Sequence, residues 1–145
     1  MISRASMLAA LHSHMDGNKQ AYGLQSVYMY QVPDFATSDP PYAVITYSGS
    51  LPDETSNFFR EFTVDITIVT LRNSEQQQSD VFPHDVADAI DGHPTAGLHR
   101  LDLNITDANT RTVSLLYQGE STVPTDDPDR LLALNMTYTL KVQEV

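Results

Sequence analysis

Residues 62–71 read FTVDITIVTL, and this stretch decides the fold. Apolar side chains alternate with polar ones along it, and the apolar positions are Phe62, Val64, Ile66 and Ile68. Successive side chains of a β-strand point to opposite faces, so the alternation predicts a strand with one buried face. The residues are mostly β-branched or aromatic, which suits a pleated, half-covered surface. We therefore expect a central strand here.

A second stretch, residues 132–142, repeats the pattern. Its apolar positions are Leu132, Leu134, Met136, Tyr138, Leu140 and Val142. The two stretches are predicted to be neighbours in one antiparallel sheet with a single apolar face. Everything else in the chain must then cover that face, close the edges of the sheet, or carry function.

Shorter strands are predicted around this pair. They lie at residues 27–33, 42–47, 101–105 and 113–117, and the last two flank a turn at 107–109 to form a hairpin. The segments 48–50 and 119–128 are expected to be loops. The tyrosines of the shorter strands are expected to fill the core; they are Tyr28, Tyr30, Tyr42 and Tyr47.

Two helices are predicted to cover the apolar face. Residues 2–15 place Leu8, Leu11 and Met15 on one stripe, and the following Asp-Gly-Asn ends that helix. A second helix is expected from Asp80 to about residue 91, with Pro83 in its first turn, where a missing N–H is tolerated. Its solvent face is expected to carry Asp85, Asp88 and Asp91.

The predicted fold class is therefore α+β. We expect a mostly antiparallel, twisted sheet of about four to six strands with two main helices packed on one face. The length of 145 residues is that of one domain, spanning residues 1–145. No apolar run approaches the roughly 18 residues of a membrane span, so no membrane partner is expected.

Charge and cysteine content exclude several classes of function. The chain has 8 Lys and Arg against 19 Asp and Glu, a net charge of -11. A protein that grips nucleic acid needs clustered cations to displace phosphate counterions, and these are missing. Acidity instead suits either solubility or a surface that DNA passes without adhering. Cysteine is absent, which excludes disulfides, thiol catalysis and thiolate metal sites.

No catalytic motif is present in the sequence. The glycines are scattered, and neither a phosphate-binding loop nor a Gly-x-Ser-x-Gly elbow occurs. His84, His93 and His99 lie near two aspartates and leave open a small metal-dependent enzyme, although their spacing matches no ligand pattern. The polar residues otherwise cluster in loops and on one helix face, which favours a binding or assembly module. We predict no catalytic residue, no cofactor and no metal.

The order of the elements resembles a known family. Val27-Tyr28 is followed by Gln31-Val32-Pro33 and then by Pro41-Tyr42-Ala43-Val44-Ile45, ahead of the long strand, a helix, a hairpin and a terminal strand. This path resembles the tail-terminator (tail-completion) proteins of long-tailed bacteriophages and covers nearly the whole chain. The departures are a histidine-rich turn at residues 92–100 and Pro83 near the start of the second helix.

The resemblance implies a structural virion protein of the neck or tail, assembled in the host cytoplasm. Such a protein forms a homo-hexameric ring on the last ring of the tail tube protein and presents a surface to the head–tail connector or stopper. DNA passes through the lumen without specific binding, which an acidic lining permits. Candidate lumen or inter-ring contacts are Asp53, Glu54, Asp126, Asp127 and Asp129. A head–tail stopper or a tube-ring protein is the alternative within this class.

Overall fold

The computed structural model describes residues 4–30, 40–52, 59–71, 83–100, 110–125 and 130–144. Three α-helices lie in these ranges: α1 (Arg4–Gly17), α2 (Lys19–Tyr22) and α3 (Pro83–Gly92), the last followed by a 3-10 turn at Leu98–Arg100. Five strands accompany them: β1 (Ser26–Met29), β2 (Tyr42–Pro52), β3 (Phe59–Leu71), β4 (Thr110–Val123) and β5 (Leu131–Glu144). None of the helices in the described ranges is long and apolar enough to cross a membrane.

The strands form one mixed sheet in the order β1-β2-β3-β5-β4. β1 runs parallel to β2, and every other neighbouring pair is antiparallel. The two stretches with the strongest alternation, β3 and β5, lie side by side at the centre and pair from Phe59 opposite Gln143 to Leu71 opposite Leu131. The predicted α+β class and the predicted antiparallel pairing are both confirmed.

The register places the apolar side chains of the central strands on one face. Phe62 lies opposite Leu140, and Val64 lies opposite Tyr138, with all four fully buried. The buried stripes of α1 and α3 pack on the same face in one core cluster, so we call it the helix-covered face. Burial of this apolar surface is the main source of stability, at about 25 cal/mol per Å² removed from water.

The opposite face of the sheet, which we call the open face, is polar along its centre. Thr63, Asp65 and Thr67 of β3 alternate with the core residues and remain partly exposed. Their partners on β5 are Thr139, Thr137 and Asn135. A small apolar cluster around Tyr42, Val69 and Ala133 occupies one end of this face. The alternation in the sequence therefore correctly predicts which side chains of the central strands are buried and which lie on the open face.

The loop predicted at 48–50 is wrong, and so is the first part of the loop predicted at 119–128, because β-bulges allow β2 and β4 to continue through these residues; 126–128 lie outside the described residues. β2 continues to Pro52, since the register shift between Tyr47 and Gly49 absorbs Ser48 as an extra residue. β4 continues to Val123, since a second shift between Tyr117 and Gly119 places Gly119 inside the strand. Gly119 has a φ of 149°, a backbone conformation that favours glycine.

Other boundaries differ from the prediction by a few residues or by an added element. α1 ends at Gly17 as expected, but the short helix α2 follows it and ends at Gly23, whose φ is 81°. α3 begins at Pro83, which confirms proline in the first turn. β1 ends at Met29 rather than at residue 33. The predicted strand at 101–105 and its turn at 107–109 lie outside the described residues.

Candidate functional site

The five acids predicted to contact the lumen or a neighbouring ring lie outside the described residues, so their role stays a prediction. They are Asp53, Glu54, Asp126, Asp127 and Asp129. The strands that flank them do show where the two segments attach. Pro52 and Phe59 lie at one end of the sheet, whereas Val123 and Leu131 lie at the other. β3 has 13 residues, and a strand of that length separates the two ends by roughly 40 Å.

The open face carries a hydrogen-bonded network centred on Asp65. Thr137 donates from Oγ1 to Asp65 Oδ1 at 2.6 Å, and Asn135 donates from Nδ2 to the same oxygen at 3.2 Å. The hydroxyl of Ser48, delivered by the bulge in β2, donates to Oδ2. Thr67 in turn donates to Asn135 Oδ1 at 3.0 Å. The network therefore spans three neighbouring strands.

The network fixes a negative charge at the centre of the open face. Partial burial by itself raises the pKa of Asp65, but the hydrogen bonds from Ser48, Thr137 and Asn135 outweigh it and hold the pKa below its ordinary value. The carboxylate thus stays ionised at neutral pH with its oxygens already occupied. Such an arrangement supplies a fixed charge rather than a base that accepts a proton.

A second polar contact joins α3 to the sheet on the helix-covered face. The fully buried Tyr138 of β5 donates from its hydroxyl to Asp91 Oδ1 at 2.8 Å. Burial raises the pKa of Tyr138 well above its ordinary range, and the hydrogen bond and charge of Asp91 raise it further. The expectation that Asp91 belongs to the solvent face of the helix is therefore wrong. Tyr117 packs edge-on against Tyr138, with ring centroids 5.6 Å apart.

Beside this contact lies an open pocket of about 180 Å³. It is lined by Ala87, Asp88, Asp91, Tyr117, Glu120 and Met136. Desolvation raises the pKa of the Tyr117 hydroxyl first, and the hydrogen bond to Glu120 and the charges of Glu120 and Asp91 add to the shift. A hydroxyl held in its neutral form beside carboxylates does not act as a base at neutral pH.

The histidine-rich turn after α3 serves packing. His93 Nδ1 accepts hydrogen bonds from the backbone N–H groups of Thr95 and Ala96, at 3.2 and 3.1 Å. The carbonyl of Ala96 in turn accepts from the Tyr22 hydroxyl at 2.5 Å and from His14 Nε2 at 3.2 Å. Burial raises the pKa of Tyr22 to about 12, so this donor stays protonated. The turn thus fastens α1 and α2 to α3.

The described residues do not form a metal-binding site. Among them, no three His, Asp or Glu side chains converge on a point that suits a metal ion. His93 is occupied by the backbone of its own turn, and His99 Nδ1 contacts the carbonyl oxygen of Asp91. His12, in α1, donates from Nε2 to the carbonyl of Val27 at 2.9 Å and so packs α1 against β1.

The most distinctive surface feature is apolar, and four of its five residues lie at the two edges of the sheet. The exposed large apolar side chains of the described residues are Met29, Tyr30, Leu71, Leu116 and Tyr117. Met29 ends β1, Tyr30 follows it, and Leu116 and Tyr117 belong to β4, the strand at the far edge. The expectation that Tyr30 fills the core is wrong: its side chain is 58% exposed, and its φ is 66°.

Comparison with known proteins shows the fold. No family model and no curated protein matches the sequence. Among solved structures, the chain is similar to a chain in the virion of a native gene transfer agent particle, with a TM-score of 0.64 and 15% sequence identity. The similarity covers 97% of this chain and 99% of that chain. The two proteins therefore share one fold over essentially their whole lengths.

Proposed function

We propose that this protein is a structural component of a phage-like particle, in which it forms the ring that ends the tail tube and joins it to the head connector. The observation that carries the proposal is the shared fold with a virion chain, which extends over 97% and 99% of the two chains. The resemblance to tail-terminator proteins points to the same kind of particle.

The ring itself is supported by the shape of the subunit. Among the described strands, the sheet has two edges, β1 and β4, and exposed apolar side chains lie at each. A contact between different patches on neighbouring copies generates a ring when the rotation closes. Six copies are proposed from the family resemblance.

The charge distribution suits passage of DNA. A net charge of -11 repels the phosphate backbone, and Asp65 fixes one of those charges on the open face. The segments bearing Asp53 and Glu54, and Asp126 to Asp129, attach to opposite ends of the sheet. We propose that one end meets the tube and the other meets the connector or stopper.

Another neck or tail component, such as a head–tail stopper or a tube-ring protein, is the alternative, because the virion similarity supports it equally. An assay of tube growth distinguishes these functions.

Purified tail tube protein is allowed to polymerise in the presence of this protein, added at a ratio of a few rings per tube, and tube lengths are measured by electron microscopy. A terminator stops elongation at one end; a tube-ring protein lengthens the tubes and is itself incorporated; a chain without effect on length contradicts both tube roles.

A further inference from the structure

We propose that neighbouring subunits join edge to edge, with residues 114–117 of β4 pairing with β1 of the next copy of the same chain. The inference rests on the ring of the proposed function and names the surfaces that close it. The two partners are β1, Ser26–Met29, and the segment 114–117, which we call the β4 edge segment. Both are edge strands of the five-stranded sheet.

Exposed apolar side chains are concentrated at these two edges. Leu116 is 56% exposed and Tyr117 42% on one edge, while Met29 is 39% and Tyr30 58% exposed on the other. Soluble proteins usually protect edge strands with charged residues or proline, which prevent pairing with another chain. The sequences SVYM of β1 and SLLY of the β4 edge segment contain neither. Both edges therefore have the composition of strands that pair.

The two edges also match in length. β1 has four residues. In β4, register shifts between Thr112 and Ser114 and between Tyr117 and Gly119 leave a regular stretch of four residues between two bulges. Among the strands that the structure describes, none pairs with the outer side of β1 or of this stretch. The Val27 carbonyl of β1 accepts a hydrogen bond from His12; the other outward backbone groups of the two stretches are not paired with any described strand and are the donors and acceptors for a partner strand.

Strand direction and side-chain orientation are compatible with one continuous sheet. β1 runs parallel to β2, and three antiparallel steps lead from β2 to β4, so β4 runs opposite to β1. A neighbour in the same orientation therefore places its β1 antiparallel to β4. Tyr28 and Leu116 share the open face, whereas Met29 and Tyr117 share the helix-covered face. Apolar side chains thus meet apolar side chains on both faces.

Because the chain has no cysteine, pairs of introduced cysteines test this contact without background. The double variant Met29→Cys/Tyr117→Cys is treated with a short bis-maleimide, with and without tail tubes, and separated by denaturing electrophoresis. We expect a ladder of crosslinked oligomers. Mixing the two single variants is expected to give a crosslinked dimer, and each single variant alone should give none. The control pair Met29→Cys/Leu71→Cys has a second position of equal exposure, 42%, on the central strand, and should not crosslink.

The outcomes separate the contact from the function. Dimers from Tyr117→Cys alone would overturn the proposal in favour of a two-fold β4–β4 contact, and the absence of crosslinks both with and without tubes would overturn it outright. Crosslinked rings that leave tube ends bare would keep the edge contact and overturn the terminator function. Capped tubes without crosslinks would keep the terminator function and overturn the edge contact.

A charged side chain at the β4 edge segment provides a second measurement. Leu116→Lys is expected to abolish the oligomers seen by analytical ultracentrifugation or on tube ends while leaving the thermal unfolding of the subunit unchanged. Leu71→Lys, the matched control, should retain them. Equal assembly by both variants would contradict edge pairing.

Discussion

The hydroxyl of Tyr138 donates a hydrogen bond to Asp91 at 2.8 Å, and this contact joins the central strand β5 to the end of α3. The sequence pattern around each residue does not predict a hydrogen bond between them. Tyr138 sits in an alternating apolar run, and Asp91 sits in a row of acids that suits a solvated helix face. The hydrogen bond explains how a tyrosine is accommodated in a fully buried position.

Replacing Tyr138 with phenylalanine should weaken this connection. We expect Tyr138→Phe to lower the free energy of unfolding by about 1.5 kcal/mol, because a hydrogen bond to a charged group is lost while the ring packing is kept. Urea denaturation followed by circular dichroism measures the change. Tyr28→Phe is the control on the open face and should have little effect; equal stability of Tyr138→Phe and the unmodified protein would contradict the assignment.

The Asp65 network predicts a dependence of stability on acid pH. The folded pKa of Asp65 lies below its ordinary value of 3.8, so its contribution is present above pH 3.8 and is lost as the pH falls through the folded pKa. Since Asp65 is only partly buried, solvent screening keeps this contribution small. We expect Asp65→Asn to unfold with a weaker pH dependence than the unmodified protein below pH 3.8. Thr63→Ala, on the same face, should keep the original dependence, and identical slopes for Asp65→Asn would refute the network.

Gly97 should not tolerate a side chain. A Cβ there would lie 2.7 Å from the carbonyl oxygens of both Asp91 and His93, which are backbone atoms and cannot move aside cheaply. Gly97→Ala is expected to destabilise the protein by about 2 kcal/mol, as overpacking typically does. Gly17→Ala meets no atom within 4 Å and should be neutral or slightly stabilising. Chemical denaturation measures the free energy of unfolding of both variants. A Gly97→Ala protein as stable as the unmodified one would contradict the close approach of Gly97 to the two carbonyl oxygens.

Thr70 offers a stabilising substitution. Its hydroxyl is fully buried in β3 and has no hydrogen-bond partner among the described residues. An unsatisfied buried hydroxyl is unfavourable, so Thr70→Val, which keeps the shape, should raise the free energy of unfolding by about 1 kcal/mol. Thr67→Val should instead destabilise, because Thr67 donates to Asn135. A loss of stability in Thr70→Val would point to a partner for the hydroxyl.

Local patterns in the sequence predict the parts of this fold that depend on a single strand or helix. Alternation over residues 62–71 predicts the strand β3 and its buried face, and the match between 62–71 and 132–142 predicts the pairing with β5. The stripe of α1 and the proline at the start of α3 are predicted by helix periodicity and capping. In each case the physical cause acts within a few residues of chain.

Features that depend on distant neighbours are not predictable in this way. Ser48 looks like a turn residue, and only its pairing geometry with β3 makes it a bulge that delivers a hydroxyl to Asp65. Tyr22 and His14 give no sign that both reach the carbonyl of Ala96. The sequence does contain one signal of the exposed edge. Leu115, Leu116 and Tyr117 are consecutive, and because side chains alternate along a strand, Leu116 must face away from its two neighbours. Leu116 is 56% exposed.

Electron microscopy of the purified protein, alone and mixed with preformed tail tubes, is the most direct test of the tail-terminator function. We expect rings with six-fold symmetry, or a single ring of density on one end of each tube. Class averages of the tube ends measure both the symmetry and the number of added rings. A protein that stays monomeric and leaves both tube ends bare would contradict the tail-terminator function.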